Sequence, residues 1–246
     1  MTYDWGLAVR EPLPEVGMPR VYVHEINRLR NAQVTELYEA IESRGLPLYT
    51  KHGIELVGYW ETVMGQGPSP ETIAVWEFRD FGHYTQFIRD TYDPPDGDRT
   101  LRDWQYAKSE WIESTDSLLC FGATACPSVA ELRESGTKAK MINHETVATA
   151  PNRQAEYSEL LTEMWWKRCA EPAGRSLIGL YYAPWKNTRA FNIWGQGEDW
   201  EAVNPWGTAD GWYETKDVQL WSTLGLEVRK DFDDRFAVPA PFSTVR

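Results

Sequence analysis

The stretches VYVHEINRL, residues 21–29, and MINHETVAT, residues 141–149, decide the fold because they are two copies of one strand. Both are short runs of β-forming residues with His-Glu at the centre. The histidines of the two copies, His24 and His144, are 144 − 24 = 120 positions apart. This spacing indicates an internal repeat, and a repeat decides the architecture of a chain.

Other landmarks of the chain keep nearly the same spacing. The pairs are Gly58 and Gly179 at 121, Trp76 and Trp194 at 118, and Asp116 and Asp233 at 117. An apolar stripe with helical spacing also recurs, with Val34, Leu37, Tyr38 and Ile41 in the first half and Tyr157, Leu160, Leu161 and Met164 in the second. The chain is therefore predicted to be a tandem duplication.

Each half has the same predicted order of elements. After the helix come two strand-like runs, a second helix and a closing strand, which gives β-α-β-β-α-β. This ferredoxin-like order forms an antiparallel sheet with two helices on one face. Because each sheet leaves its other face bare, we predict an α+β fold in which the two sheets pack face to face as an α/β barrel with the helices outside. The expected boundaries are 20–124 for the first repeat, 125–139 for a linker and 140–240 for the second repeat.

The composition of the 246-residue chain excludes several classes of protein. A formal charge of −12 offers no basic surface for nucleic acid or for an anionic membrane, so neither is an expected partner. Three cysteines without CxxC spacing argue against a disulfide framework or a zinc site. Because the sequence shows neither a signal peptide nor an apolar run long enough to span a membrane, we expect a cytoplasmic protein.

Two segments of the first half resemble a known family. LPLYTKHGIELVGYWETVMG, residues 46–65, and TIAVWEFRDFGHYTQFIRD, residues 72–90, are similar to the NIPSNAP family of the dimeric α/β-barrel superfamily. The resemblance implies the barrel fold rather than one reaction, because that superfamily includes cofactor-free monooxygenases, isomerases and haem enzymes. Since two fused repeats would supply what most relatives obtain by dimerising, we expect a monomer, a pseudo-dimer, with a homodimer as the alternative.

Alternation along the strands predicts which side chains enter the barrel. His24 and His144 are the candidate catalytic residues, because imidazole titrates near neutrality and is costly to bury without a partner. The candidate substrate-binding residues are Tyr22, Trp60, Trp76, Thr146, Tyr181, Asn192 and Trp194. His144 is favoured over His24 because Asn192 and Thr146 would surround it with polar groups. A structural role for both histidines, and a core role for the aromatic residues, stay open.

The sequence supports no metal or cofactor site. Metal binding needs several converging ligands, and neither a haem-attachment motif nor a G-x-G-x-x-G or nucleophile-elbow pattern is present. We therefore predict a cofactor-independent enzyme of the lyase, isomerase or oxygenase type, which performs acid–base chemistry on a small hydrophobic or aromatic molecule in an aromatic-lined barrel pocket. The alternatives are a non-catalytic small-molecule binding or interaction protein, and a haem-binding barrel enzyme.

Overall fold

The computed structural model of the chain describes residues 19–30, 33–65, 70–93, 97–198 and 215–246. Its first half contains strands β1 (Val21–Leu29), β2 (Glu55–Gly65), β3 (Glu71–Phe78) and β4 (Ile112–Gly122). Its helices are α1 (Val34–Ala40), α2 (Leu46–Lys51), α3 (Phe81–Tyr92) and α4 (Arg99–Ala107), with a π-helical segment, Ile41–Gly45, between α1 and α2 and a short 3₁₀ turn, Lys108–Glu110, after α4. Among the described residues, no helix combines the length and the apolar character that a membrane span needs.

The second half repeats this order. Its strands are β5 (Met141–Thr149), β6 (Arg175–Tyr182), β7 (Arg189–Gln196) and β8 (Arg229–Pro239), and its helices are α6 (Gln154–Leu160) and α7 (Lys216–Val228). A π-helical segment, Leu161–Ala170, again follows the first helix of the repeat. Between the halves lies α5 (Val129–Ser135), a short helix that begins with a capping box between Ser128 and Glu131. The connection predicted as a polar linker thus contains a helix.

The eight strands close into one antiparallel barrel in the order β1-β3-β2-β8-β5-β7-β6-β4. The first repeat contributes the four-stranded sheet β4-β1-β3-β2, and the second contributes β8-β5-β7-β6. Two seams join these sheets, one between β2 and β8 and one between β4 and β6. The predicted fold class, two ferredoxin-like sheets packed as a barrel, is confirmed.

Alternation along β1 divides its side chains between two layers. Val21 and Leu29 belong to a cluster with the apolar residues of α1, α2 and α4, so they lie between the sheet and the helices. Tyr22 belongs to a second cluster, which fills the barrel and continues into the helix layer of the second repeat. Because residues directly opposite each other on antiparallel strands share a face, the strand register carries this assignment from β1 to every other strand.

Candidate functional site

His24 and His144 meet inside the barrel. Their Nε2 atoms lie 2.7 Å apart, so one neutral imidazole donates a hydrogen bond to the other. The rings are almost fully buried, with exposed fractions of 1% and 0%. His24 also stacks on Phe191, with ring centroids 4.0 Å apart and an interplanar angle of 20°. The two copies of the His-Glu strand thus place their histidines at one point between the sheets.

The surroundings keep both imidazoles neutral. Burial, together with the charges of Arg235 and Arg189, lowers the pKa of His24 to about 3. Burial, followed by the effects of His24 and Arg235, lowers the pKa of His144 well below its usual value. A base whose pKa lies so far below neutrality binds a proton poorly at neutral pH, so the pair suits a structural or hydrogen-bonding role.

An ion pair stands beside the histidines, and sequence reasoning missed it. Arg235 lies opposite His144 on β8, and its Nε donates to Glu71 Oε2 at 2.9 Å. Both side chains are largely buried, with exposed fractions of 12% and 5%. The two residues are 164 positions apart, so no local pattern in the sequence could connect them.

Four of the predicted substrate-binding residues lie on the barrel face of their strands. Trp60 and Tyr181 lie over Gly58 and Gly179, where an added Cβ would come within 1.9 Å and 2.2 Å of the neighbouring ring. Glycine is therefore required beneath each ring. The other two are Tyr22, which packs against Tyr181 at 4.7 Å, and Thr146, which lies opposite the inward-facing Phe191. Their role in binding a substrate stays a prediction.

The remaining three predicted residues face the helices, so the face assigned to them from sequence was wrong. Trp76 lies opposite Val23, not opposite His24, and Trp194 lies opposite Asn143, not opposite His144. Asn192 lies opposite Glu145, and its Nδ2 donates to Glu145 Oε2 at 2.7 Å. Each prediction was out of register by one residue, which moves a side chain to the other face of a sheet.

An open cleft of about 1090 Å³ lies beside the β4–β6 seam. One wall comes from the start of β1, the end of β4 and the connection after it, and includes Tyr22 and Cys126. The opposite wall is the face of α6 and the following π-helical segment that carries Ser158, Thr162 and Trp166. This volume accommodates a small organic molecule, and the wall combines aromatic, hydroxyl and charged groups.

Titratable groups with shifted pKa values surround Tyr22. Glu77 lies directly opposite Tyr22 on β3, and burial raises the pKa of its carboxyl group. The Glu77 Oε2 atom accepts the backbone N–H of Val129 at 2.9 Å. Burial also raises the pKa of the Tyr22 hydroxyl and raises the pKa of the Cys126 thiol to about 12. Such a cluster beside a cleft is a candidate active site, and only the strand register reveals it.

The residues of the cleft do not fit a haem bound through histidine. The described cleft wall contains no histidine, and His24 and His144 direct their Nε2 atoms at each other. The Tyr22 hydroxyl and the Cys126 thiol stay protonated at neutral pH, whereas a metal ligand must be deprotonated. Within the described parts of the chain, no three His, Cys, Asp or Glu side chains converge as a metal site would require.

The comparisons with known proteins match the first repeat to a family model. Residues 24–119 match the NIPSNAP family model. The NIPSNAP segment runs from the middle of β1 almost to the end of β4, and it therefore covers the first sheet of the barrel. No curated protein matches the sequence.

Solved structures extend the likeness to both repeats. A candidate monooxygenase from Lactobacillus acidophilus NCFM has a TM-score of 0.59 at 10% identity, covering 90% of this chain and 94% of its own. A candidate monooxygenase from Fusobacterium nucleatum has a TM-score of 0.54 at 9% identity, covering 91% and 93%. A NIPSNAP family protein from Agrobacterium tumefaciens covers 44% of this chain and 97% of its own, at 18% identity and a TM-score of 0.37. At these identities, the first two show a shared fold and no more.

Proposed function

We propose that the protein is a cofactor-independent enzyme that moves a proton on a small, partly hydrophobic carbonyl compound held in the cleft beside Tyr22. One observation carries this proposal: Tyr22 lines the cleft of about 1090 Å³ and lies opposite Glu77, a buried carboxyl group. Tyr22, a hydrogen-bond donor, thus lines a space of suitable size, and Glu77, an acid–base group, lies next to Tyr22 on β3.

The two groups suit complementary roles. The raised pKa of Glu77 makes its carboxylate a stronger base than an exposed glutamate. The raised pKa of Tyr22 keeps its hydroxyl protonated, so that it can donate a hydrogen bond to a developing oxyanion. Glu77 would remove a proton from the carbon next to the substrate carbonyl, the electron pair would move to the carbonyl oxygen, and Tyr22 would stabilise the resulting charge. Return of the proton to a different carbon completes an isomerisation without an oxidant.

In this proposal the paired histidines support the site rather than take the proton. His24 is the next residue after Tyr22 that faces the barrel, so the histidine pair and Tyr22 share the same face of β1. With both Nε2 atoms engaged at 2.7 Å, the pair fixes the positions of β1 and β5 at the centre of the barrel. Glu77 therefore replaces His144, the residue expected from the sequence, as the proposed base.

Deuterium exchange tests the proposal without knowledge of the product. The protein would be incubated in D₂O with a panel of aryl and alkyl ketones and keto acids, and deuterium next to the carbonyl would be measured by NMR. We expect Glu77→Gln and Tyr22→Phe to lower the exchange rate by about 10²-fold or more. The matched control is Glu113→Gln, at a carboxylate that pairs with Arg28 and is 51% exposed, and it should exchange like wild type. Exchange that survives in Glu77→Gln would refute the assignment of the base.

A binding protein without catalysis is the second candidate. The observation in its favour is that the two barrel histidines are sealed from solvent and bound to each other. Saturable binding of one panel compound, together with deuterium exchange no faster than in buffer for every compound of the panel, would favour a binding protein without catalysis. A change in the NMR signals of Tyr22 on addition of that compound would show that the compound binds in the cleft.

A further inference from the structure

The segments that follow β4 and β8 fold back on the neighbouring strand in the same way. After β4, the Ala123 N–H donates to the Leu180 carbonyl of β6 at 2.9 Å. After β8, the Ala240 N–H donates to the Tyr59 carbonyl of β2, also at 2.9 Å. Both bonds come directly after the closing strand of a repeat. Ala123 and Ala240 therefore occupy equivalent positions, and so do Leu180 and Tyr59.

The turn within each segment is equivalent as well. The Cys126 N–H donates to the carbonyl three residues before it at 2.9 Å, and the Ser243 N–H does the same at 3.0 Å. The side chains of these two residues then accept the backbone N–H of the strand residue that the segment already contacts, at 3.4 Å for Cys126 and 2.9 Å for Ser243. Because the two turns have the same length, Ala125 stands where the second segment has Phe242.

Three aromatic rings pack together at the β2–β8 seam. The centroid of the Phe242 ring lies 5.5 Å from that of Tyr38 on α1 and 5.9 Å from that of Tyr59 on β2. Tyr38 and Tyr59 are themselves 5.8 Å apart, edge to face. The three rings fill the space between the segment after β8, the end strand of the first sheet and the first helix.

At the β4–β6 seam the equivalent positions carry smaller side chains. Two of them are Leu180 and Ala125, as the backbone hydrogen bonds show. The third follows from the helices, because α1 and α6 begin 154 − 34 = 120 positions apart, so that Ser158 corresponds to Tyr38. Ala125 and Ser158 both line the cleft of about 1090 Å³. The cleft therefore lies where aromatic side chains fill the other seam.

The cleft keeps aromatic walls around this space. Three aromatic side chains line it, namely Tyr22, Trp166 and Tyr182. Tyr22 adjoins the turn that carries Ala125, since a Cβ added at Gly122 would lie 2.9 Å from the Tyr22 ring and 3.3 Å from the Cβ of Cys126. Aromatic rings attract each other edge to face or offset, with centroids about 4.5–7 Å apart. A ring beside Ala125 would thus find aromatic partners.

We propose that Ala125 sets the substrate class of the cleft, and that the substrate carries a phenyl-sized ring beside Ala125, in the place that Phe242 takes at the other seam. This inference rests on the proposed function, because it names the substrate class of the same cleft. A carbonyl group attached to such a ring comes next to Tyr22, the donor assigned to the developing oxyanion. Aryl carbonyl compounds are therefore preferred over alkyl ones.

Binding of three methyl ketones to the whole protein tests the ring site. The probes are acetophenone, cyclohexyl methyl ketone and butanone, each titrated and followed by ligand-observed NMR. We expect acetophenone to bind about tenfold or more tightly than butanone, because its ring buries more apolar surface. It should also bind a few-fold more tightly than cyclohexyl methyl ketone, because only the aromatic ring gains from edge-to-face pairing.

Ala125→Phe should place a ring in the site and weaken acetophenone binding by about tenfold or more. Its melting temperature should not fall, because Phe242 packs in the same way at the other seam. The matched control is Ala130→Phe, the same change at an exposed position of α5 outside the cleft wall. This control should bind acetophenone like wild type.

The outcomes separate this inference from the proposed function. Equal affinity for the three ketones, or binding of none of them, overturns the ring site, as does acetophenone binding that is undiminished in Ala125→Phe. If Ala125→Phe does not fold, Ala125→Leu fills part of the same space and should weaken binding in the same direction. Glu77→Gln should lose deuterium exchange and keep acetophenone binding. Binding of acetophenone without exchange in wild type would overturn the proton transfer and leave the ring site standing.

Discussion

Acid should weaken the fold through the buried histidine pair. Burial is the main cause that lowers the pKa of His24 to about 3 and that lowers the pKa of His144. In the unfolded chain, imidazoles take up protons below a pH of about 6.5. The contribution of the pair to stability is therefore complete above this pH and is lost progressively as the pH falls toward the folded pKa values.

The size of the effect follows from the width of this window. A group that is protonated only in the unfolded chain lowers the free energy of unfolding by about 1.4 kcal/mol for each pH unit. Between about pH 6.5 and pH 5, His24 alone lowers it by about 2 kcal/mol, and His144 acts in the same direction. Asp234 acts in the opposite direction, because its pKa is raised to about 7 and its protonated form belongs to the folded state. A comparison of variants is therefore needed to isolate the histidines.

Urea unfolding of wild type and of a His24→Leu/His144→Leu double variant provides that comparison. The leucines keep an apolar contact with Phe191 and remove one hydrogen bond, so near pH 7.5 the two proteins should differ by less than about 2 kcal/mol. The advantage of wild type over the variant should then fall by about 2 kcal/mol or more on going to about pH 5. The control is His83→Gln, because His83 lies outside the barrel, beside the His52 carbonyl. The free energy of unfolding of this variant should change between these two pH values as it does in wild type. A difference between wild type and the double variant that stays constant across this range would refute the reasoning.

Three further outcomes are expected. Removing one member of the buried Arg235–Glu71 ion pair, as in Glu71→Leu, should lower the free energy of unfolding by about 3–5 kcal/mol, whereas the Glu71→Leu/Arg235→Leu double variant should recover most of that loss in urea unfolding. Gly58→Ala should lower the melting temperature, because its Cβ would come within 1.9 Å of Trp60; a melting curve unchanged from wild type would contradict the packing. Because the pKa of Cys126 is raised to about 12, its alkylation near pH 7.5, followed site by site by mass spectrometry, should be slower than that of a free thiol by about 10³-fold; reaction at the free-thiol rate would show that the thiol is not buried.

The barrel could be predicted from sequence because its evidence is repeated along the chain. The spacing of His24 and His144 indicates duplication, and the alternation within β1 and β5 assigns both histidines to one face without knowledge of any other strand. Closure of the barrel, which two copies of one sheet require, then places both histidines in its interior. What the sequence could not supply was the distance between the two rings.

The faces of the other strands could not be predicted, because alternation in one strand does not fix its register against the next. β2 carries a bulge between Leu56 and Gly58, and β6 carries one between Leu177 and Gly179. A bulge adds one residue and breaks the period of two. Beyond the bulge, alternation in the sequence therefore no longer predicts which face of the sheet a residue takes. Trp76, Asn192 and Trp194 were misplaced for the first reason, the unknown register between strands. Gly58 and Trp60 lie opposite Val75 and Ile73, and Gly179 and Tyr181 lie opposite Ile193 and Phe191.

The two seams of the barrel are unequal, and this decides where the molecule opens. The β2–β8 seam joins five residue pairs from Trp60 to Gly65, whereas the β4–β6 seam joins only Phe121 with Tyr182 and Gly122 with Tyr181. Local opening follows the weakest set of backbone hydrogen bonds. We therefore expect the β4–β6 seam to open before the β2–β8 seam. The cleft lies beside the β4–β6 seam. Parting of the β4–β6 seam would admit solvent past Tyr181 to the histidines without unfolding either repeat.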